Sequence, residues 1–164
     1  MINAVAVFDG NNSWRLAGTV IFSQEAGKNT IVEVNLVGFP PNHISGFHIH
    51  EWGNMSEGCK SMGPHYNPFG HVHGNYELVG KKRHVGDLIN NLYSNDMGHV
   101  HIRFEDDLVQ LHGKYSIIGR GLVIHEKMDD LGKGGPLPTS GNKESLLTGN
   151  AGARVACAVI ALAK

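Results

Sequence analysis

The sequence lacks any apolar run approaching the ~20 residues that a helix needs to cross a bilayer, and it lacks an excess of charge of either sign. Lys and Arg number 14 against 15 Asp and Glu, a net charge of −1 over 164 residues. Nothing in that balance predicts a general affinity for nucleic acid or for an anionic membrane. No basic head or cleavage site precedes the strand-like opening "MINAVAVFDG", so the expectation is a mature, cytoplasmic protein. Cysteine is nearly absent, with Cys59 and Cys157 as the whole inventory. In that setting two free thiols are the default reading, and a disulfide stays open. Aromatic residues make up only 7% whereas glycine reaches 22 residues, a composition suited to many tight turns.

A sustained helical period is missing as well. What the chain has instead is a series of short strand-like runs over Ala4–Phe8, Arg15–Gln24, Thr30–Phe39, Gly46–His50, His84–Asn90, His99–Phe104, Ser116–His125 and Arg154–Leu162. Turn signals such as "DGNN", "EAGKN", "PPN" and "SNDMG" separate them. The pattern predicts an all-β domain over residues 1–164, with about eight antiparallel strands in a barrel or sandwich. Two long segments, Glu51–Arg83 and Glu126–Ala153, break the rhythm with Gly-rich, polar sequence. Long ordered loops inside a compact domain are usually functional, and the first holds three of the 11 histidines together with Cys59.

Three His-x-His pairs stand out: "HIH" at His48–His50, "HVH" at His71–His73 and "HVH" at His99–His101. On a strand, residues i and i+2 share a face with Cα atoms about 6.5–7 Å apart, so two imidazoles can converge on one ion. In the first pair the histidines alternate with Phe47 and Ile49, apolar residues that would face the core and hold the pair rigidly on the other side. Further ligand types follow at His65, His73, His84 and Asp87, and His125 ends a later strand-like run. Three histidines with a carboxylate fit a closed tetrahedral zinc site. Nitrogen ligation by several histidines suits copper, which tops the affinity series for such sites.

The motifs "GFHIHEWG", "GCKSMGPHYNP", "RHVGDL", "IGRGLVIHEKMDDLGKGG" and "TGNAGARVACAVI" resemble the copper/zinc superoxide dismutase family, in that family's order and over essentially the whole chain. The resemblance implies an eight-stranded antiparallel Greek-key β-barrel or sandwich with two long functional loops. It implies one copper per subunit on His48, His50, His65 and His125, and one zinc per subunit on His65, His73, His84 and Asp87. His65 would then bridge the two ions, and with Arg154 it is a candidate catalytic residue. Asp129 is placed as the carboxylate linking a copper-ligand histidine to a zinc-ligand histidine. Arg154 is placed as the cation beside the copper that attracts the anionic substrate, superoxide. Cys59 and Cys157 take the positions of the family's intrasubunit disulfide.

On this reading the first histidine pair works whole and the second by half, through His73 alone. His71 is expected to be a solvated loop histidine. Val100, Ile102 and Phe104 should point inward, leaving His99, His101 and Arg103 on the outer face, and neither His43 nor His112 matches a ligand position. The family resemblance also implies a homodimer, with Trp52, Ile118, Val159 and Leu162 on the matching surface, and a copper-loading chaperone as a partner. Two other readings compete. A non-enzymatic copper- and zinc-handling protein would want a soft Cu(I) site such as Cys-x-x-Cys, which the chain lacks. A zinc hydrolase would want Asp and His just after a His-x-His pair, where this chain has "EWGN". One departure from the family concerns substrate guidance. The stretch Gly135–Thr148 is longer than usual and carries two extra prolines. Leu146 and Leu147 stand where some members have lysine, so Lys133 and Lys143 are the candidates to extend the positive field.

Overall fold

A computed structural model describes residues 1–134 and 140–164. Strands β1 (Ile2–Asp9), β2 (Ala17–Gln24) and β3 (Thr30–Val37) form an antiparallel meander, and β4 (Ile44–His50) then crosses to a second sheet. After β5 (Ser56–Cys59), the helical turn α1 (Tyr76–Val79) and β6 (Asn91–Tyr93), strand β7 (His99–Asp106) returns to pair with β3. Strand β8 (Gly121–His125), helix α2 (Ser140–Thr148), β9 (Arg154–Val159) and β10 (Ala161–Ala163) complete the chain. The sheets have orders β10-β1-β2-β3-β7 and β6-β4-β8-β9. The result is an antiparallel β-sandwich rather than a closed barrel. β9 and β10 are one run interrupted at the buried Ile160, where the chain passes from the second sheet to the first.

Alternation explains the first sheet. In β3 every second residue from Thr30 to Leu36 is buried, and Ala4, Ala6, Phe8, Val20 and Phe22 do the same in β1 and β2. Phe47, Ile49, Leu122 and Ile124 meet them from the second sheet, each worth about 1.5–3 kcal/mol of apolar burial. The central strands of the second sheet do not alternate in burial. All of β8, and β4 from Ser45 onward, are buried, because the long loops cover the face that would otherwise be wet.

Several expectations change. The run His84–Asn90 is not a strand; Val85–Asp87 form a 3-10 turn and pairing starts only at Asn91. The Asp87 carboxylate takes the His84 and Gly74 amides at 3.1 Å each, and that local bonding outweighs the strand preference of the sequence. Of Ser116–His125 only Gly121–His125 is strand. The long segments are not structureless: β5, α1 and α2 lie within them. Ile102 is 38% exposed although it opposes the buried Val34, because β7 is the edge of its sheet. The two extra prolines of the 135–148 stretch lie outside the described residues, and Ser140–Thr148 form α2.

Cys59 and Cys157 form a disulfide across 98 residues of sequence, so both thiols are absorbed and the free-thiol default does not hold. On the chain-entropy model a loop of that size is worth up to ~4.7 kcal/mol. The bond ties the first long loop to β9. A buried ion pair anchors the same loop further on, with Arg83 Nη2 donating to Asp106 Oδ2 at 2.6 Å.

Candidate metal centre

Strand β4 supplies His48 and His50 on its loop-covered face, opposite Val123 and Gly121 of β8. The register between β8 and β9 shifts after Ile124, so His125 pairs with Arg154 rather than Val155. Bulges of this kind re-aim side chains beside functional sites, and this one sets Arg154 across from His125. The loop brings His65 against His50 through an isolated bridge. Gly86 lets the following turn approach, since a Cβ there would lie 2.1 Å from the Ile49 carbonyl.

One nitrogen from each of His48, His50, His65 and His125 lies within 4.8 Å of the others, and all four residues are buried. His50 Nδ1 donates to the Gly63 carbonyl at 2.8 Å and His125 Nδ1 to that of Gly152 at 3.2 Å. Both rings therefore turn an Nε2 lone pair inward, and those two atoms sit 3.3 Å apart. Burial, then the neighbouring His65, pushes the His50 pKa well below its ordinary value, and burial followed by His48 does the same to His125. Two facing lone pairs call for a cation between them. His48 Nδ1 and His65 Nε2, both buried and without a hydrogen-bond partner, complete the ring of donors.

A second group centres on Asp87. Its Oδ1 stands 3.1 Å from His65 Nδ1, 2.9 Å from His73 Nδ1 and 3.1 Å from His84 Nδ1. Burial pushes the Asp87 carboxyl up, but the bonds from the three histidines outweigh it and hold the group well below the carboxylate range. His65 alone belongs to both groups; burial and then His48 lower its pKa to about 3.

Asp129 joins the halves, 2.6 Å from His48 Nε2 and 2.9 Å from His73 Nε2. For His73 burial opposes the charged ring, but the bonds to Asp129 and Asp87 win and raise its pKa to about 9. Gly149 packs against this carboxylate at φ +68°, and a Cβ there would lie 2.1 Å from Asp129 Oδ1. Asn90 and Asn91 hold Asp129 in place. Asn90 Nδ2 donates to its Oδ2 at 3.3 Å, Asn91 Nδ2 to its carbonyl at 2.9 Å, and its amide donates to Asn91 Oδ1 at 2.8 Å. Sequence reasoning missed these two. The adjacent asparagines in "LINN" carry only a turn signal, consistent with Asn90 at φ 63°.

The site opens into a cavity of about 650 Å³ whose lining includes His50, His65, His125, Glu144, Leu147 and Arg154. Arg154 Nη1 donates to the Cys59 carbonyl at 2.8 Å and Nη2 to that of Gly63 at 2.6 Å. It makes no carboxylate pair among the described residues, so its charge is left for the cavity. From α2 it is Glu144, Leu147 and Thr148 that reach the lining; Lys133 and Lys143 are exposed and lie outside it. His71 is half-buried, with Nδ1 3.3 Å from the Arg83 carbonyl, and belongs to neither group.

Comparison with known proteins settles the family. A model of copper/zinc superoxide dismutase (SODC) matches residues 16–160. The chain belongs to the copper/zinc superoxide dismutase family. The Cu-Zn superoxide dismutase of Schizosaccharomyces pombe is 48% identical over 164 residues, covering 99% of each chain. That of Neurospora crassa is 45% identical over 165 residues and covers all of each. The crystal structure of the clock protein EA4 superposes with a TM-score of 0.84 at 40% identity, covering 98% of this chain and 94% of that one. As a superoxide dismutase the chain is an oxidoreductase converting superoxide to dioxygen and hydrogen peroxide, and its cofactors are copper and zinc.

Proposed function

We propose that the dismutase reaction runs at copper held by His48 Nδ1, His50 Nε2, His65 Nε2 and His125 Nε2, with zinc on His65, His73 and His84 Nδ1 and an Asp87 oxygen. The observation that carries this reading is the pair of buried, unpartnered nitrogens, His48 Nδ1 and His65 Nε2, within a ring of four histidines. The all-nitrogen group suits copper, and the His₃Asp group suits four-coordinate zinc. Copper supplies one-electron exchange, so that two superoxide ions and two protons become dioxygen and hydrogen peroxide, while zinc has no second accessible oxidation state.

The chain's own residues do the rest. Asp129 bonds the Nε2 atoms of His48 and His73, which directs both Nδ1 atoms inward, that of His48 without a partner and that of His73 against Asp87. Serving both ions requires His65 to lose both ring protons, and its burial disfavours the imidazolium form. His65 Nε2, buried and without a partner, would be the atom to hold a proton for the departing product when it is not holding copper. Arg154 holds the anionic substrate at the inner end of the cavity. Metal analysis of the purified protein with a superoxide-scavenging assay tests the reading. One copper and one zinc per chain with high activity are expected, and activity in copper-free protein overturns it.

The same proposal treats residues 1–164 as one working domain and takes in a cytoplasmic setting and a copper-loading chaperone as partner. It also includes a homodimer. Trp52 and Leu162 are 52% and 67% exposed, and Ile118 and Val159 are half-buried beside them in sequence or fold; an exposed apolar patch of this kind marks an interface. Light scattering should give twice the 17.8 kDa chain mass at micromolar concentration.

A further inference from the structure

The third histidine pair plays no part in the centre just described. His99 and His101 lie on β7, in the other sheet. Val100 between them is 3% exposed and fixed in the core, so both rings project from the outer face, directed away from the sandwich and from the copper and zinc ligands. Their cross-strand neighbours on β3 are Val37 and Asn35. His101 Nδ1 hydrogen-bonds the Asn35 carboxamide oxygen. That contact sets Nδ1 as the donor and leaves the Nε2 lone pair free, the arrangement that orients ligating histidines elsewhere. The His99 ring has no hydrogen-bond partner among the described residues. The next outward side chain, Arg103, stands opposite Glu33, whose negative charge offsets the repulsion a cation would meet from the guanidinium.

We propose that His99 and His101 form a third, exchangeable binding site for a divalent transition ion, a two-imidazole clamp on the outer face of edge strand β7, with Cu²⁺ the preferred occupant. The pair's spacing of about 6.5–7 Å between Cα atoms lets two rings converge on one ion. Neutral imidazole nitrogens select borderline ions, with Cu²⁺ at the head of the series. Two protein ligands and solvent in the remaining positions make an exchanging site rather than a structural one. Other histidines outside the centre are less suited. The His43 ring is bonded to the Glu126 carbonyl at 2.7 Å, His71 is bonded to that of Arg83, and His112 stands alone on a turn.

The test is calorimetric and electron-paramagnetic titration of Cu²⁺ into the protein already loaded with copper and zinc. The wild type should take up one further Cu²⁺ per chain. His99→Gln with His101→Gln should weaken that uptake at least tenfold, Asn35→Ala should weaken it several-fold with both ligands kept, and His112→Gln should leave it unchanged. Dismutase activity and the melting temperature should be the same in all these variants, since the altered side chains lie on the outer surface. The proposal is overturned if the loaded wild type takes up no further ion, or if the double variant binds it as tightly as the wild type. Unchanged affinity in Asn35→Ala overturns the orienting role of that carboxamide.

Discussion

Strands β4 and β7 carry the same three-residue pattern, histidine, β-branched apolar residue, histidine, and put it to opposite ends. In both, the central residue is buried and the histidines face away from the core. The difference lies in what covers that outward face. Over β4 the two long loops close, so His48 and His50 are 0% and 1% exposed and every ring nitrogen that is not bonded to the protein points at another donor. Over β7 no loop closes among the described residues; Val37 and Asn35 flank the pair on β3, and His101 is exposed. Two histidines so spaced thus join a buried cluster of donors through the segments folded over them, far away in sequence, rather than through their own spacing.

The sharpest way to test that contrast is to remove one histidine of the first pair and both of the third. His48→Ala should lower dismutase activity more than about a thousandfold, or ~4 kcal/mol, with copper content falling alongside. His99→Ala together with His101→Ala should stay within about twofold. Comparable losses in both variants would mean that cover is not what separates the pairs.

The two ion pairs that straddle the end of β7 show the same dependence on burial. Arg83–Asp106 is almost wholly enclosed, while Lys81–Asp107 joins at 3.0 Å with the lysine side chain 65% exposed. Arg83→Leu leaves the Asp106 carboxylate buried and uncompensated and should cost ~3–5 kcal/mol of stability; Lys81→Ala should cost no more than ~1 kcal/mol. Denaturant unfolding of both variants at fixed metal content gives the comparison.

Arg154 comes next in size. In the role proposed for it the charge guides the substrate, so Arg154→Ala should slow turnover about tenfold and Arg154→Glu considerably more, whereas Arg154→Lys should keep most of the rate. Equal losses for Lys and Ala would assign the residue to bracing the Cys59 and Gly63 carbonyls alone. Added salt should slow the wild type, since exposed charge is screened beyond about 8 Å at physiological ionic strength.

A pH dependence is expected as well. In the metal-free chain His50, His65 and His125 have folded pKa values below the ordinary 6.5. The unfolded chain then binds more protons over that interval, and stability must fall as pH drops below 6.5. Asp87 and Asp129, both depressed, add to the loss once pH nears the ordinary carboxylate range. The melting temperature of the metal-free protein should therefore be lower at pH 5 than at pH 7, and full metal loading should shrink the difference.

Much of this was legible in the sequence, and unevenly so. The strands of the first sheet could be read because each has one dry and one wet face, and alternation records that directly. The candidate ligands were legible through the family motifs, and the structure gathers these seven side chains into two adjoining clusters. The run His84–Asn90 was misread because strand propensity and ligand spacing compete there; a single carboxylate, Asp87, ties its own backbone into a turn. Asn90 and Asn91 escaped because their work is done on Asp129, some 40 residues away, and no local pattern encodes such a partner. Ile102 was assigned by alternation alone, which does not record whether a strand has a neighbour on both sides.

The Gly63 carbonyl accepts from His50 Nδ1 and from Arg154 Nη2, in a loop whose start is tied to β9 by the Cys59–Cys157 bond. Oxidation of the thiols and occupancy by copper are therefore two legs of one thermodynamic cycle. Whatever factor the closed bond adds to copper affinity, bound copper must return to the thiol–disulfide equilibrium, whichever event comes first. A reducing environment and a copper-poor one should thus deplete the same molecules together, so that the partly matured form is scarcer than either constant alone would give.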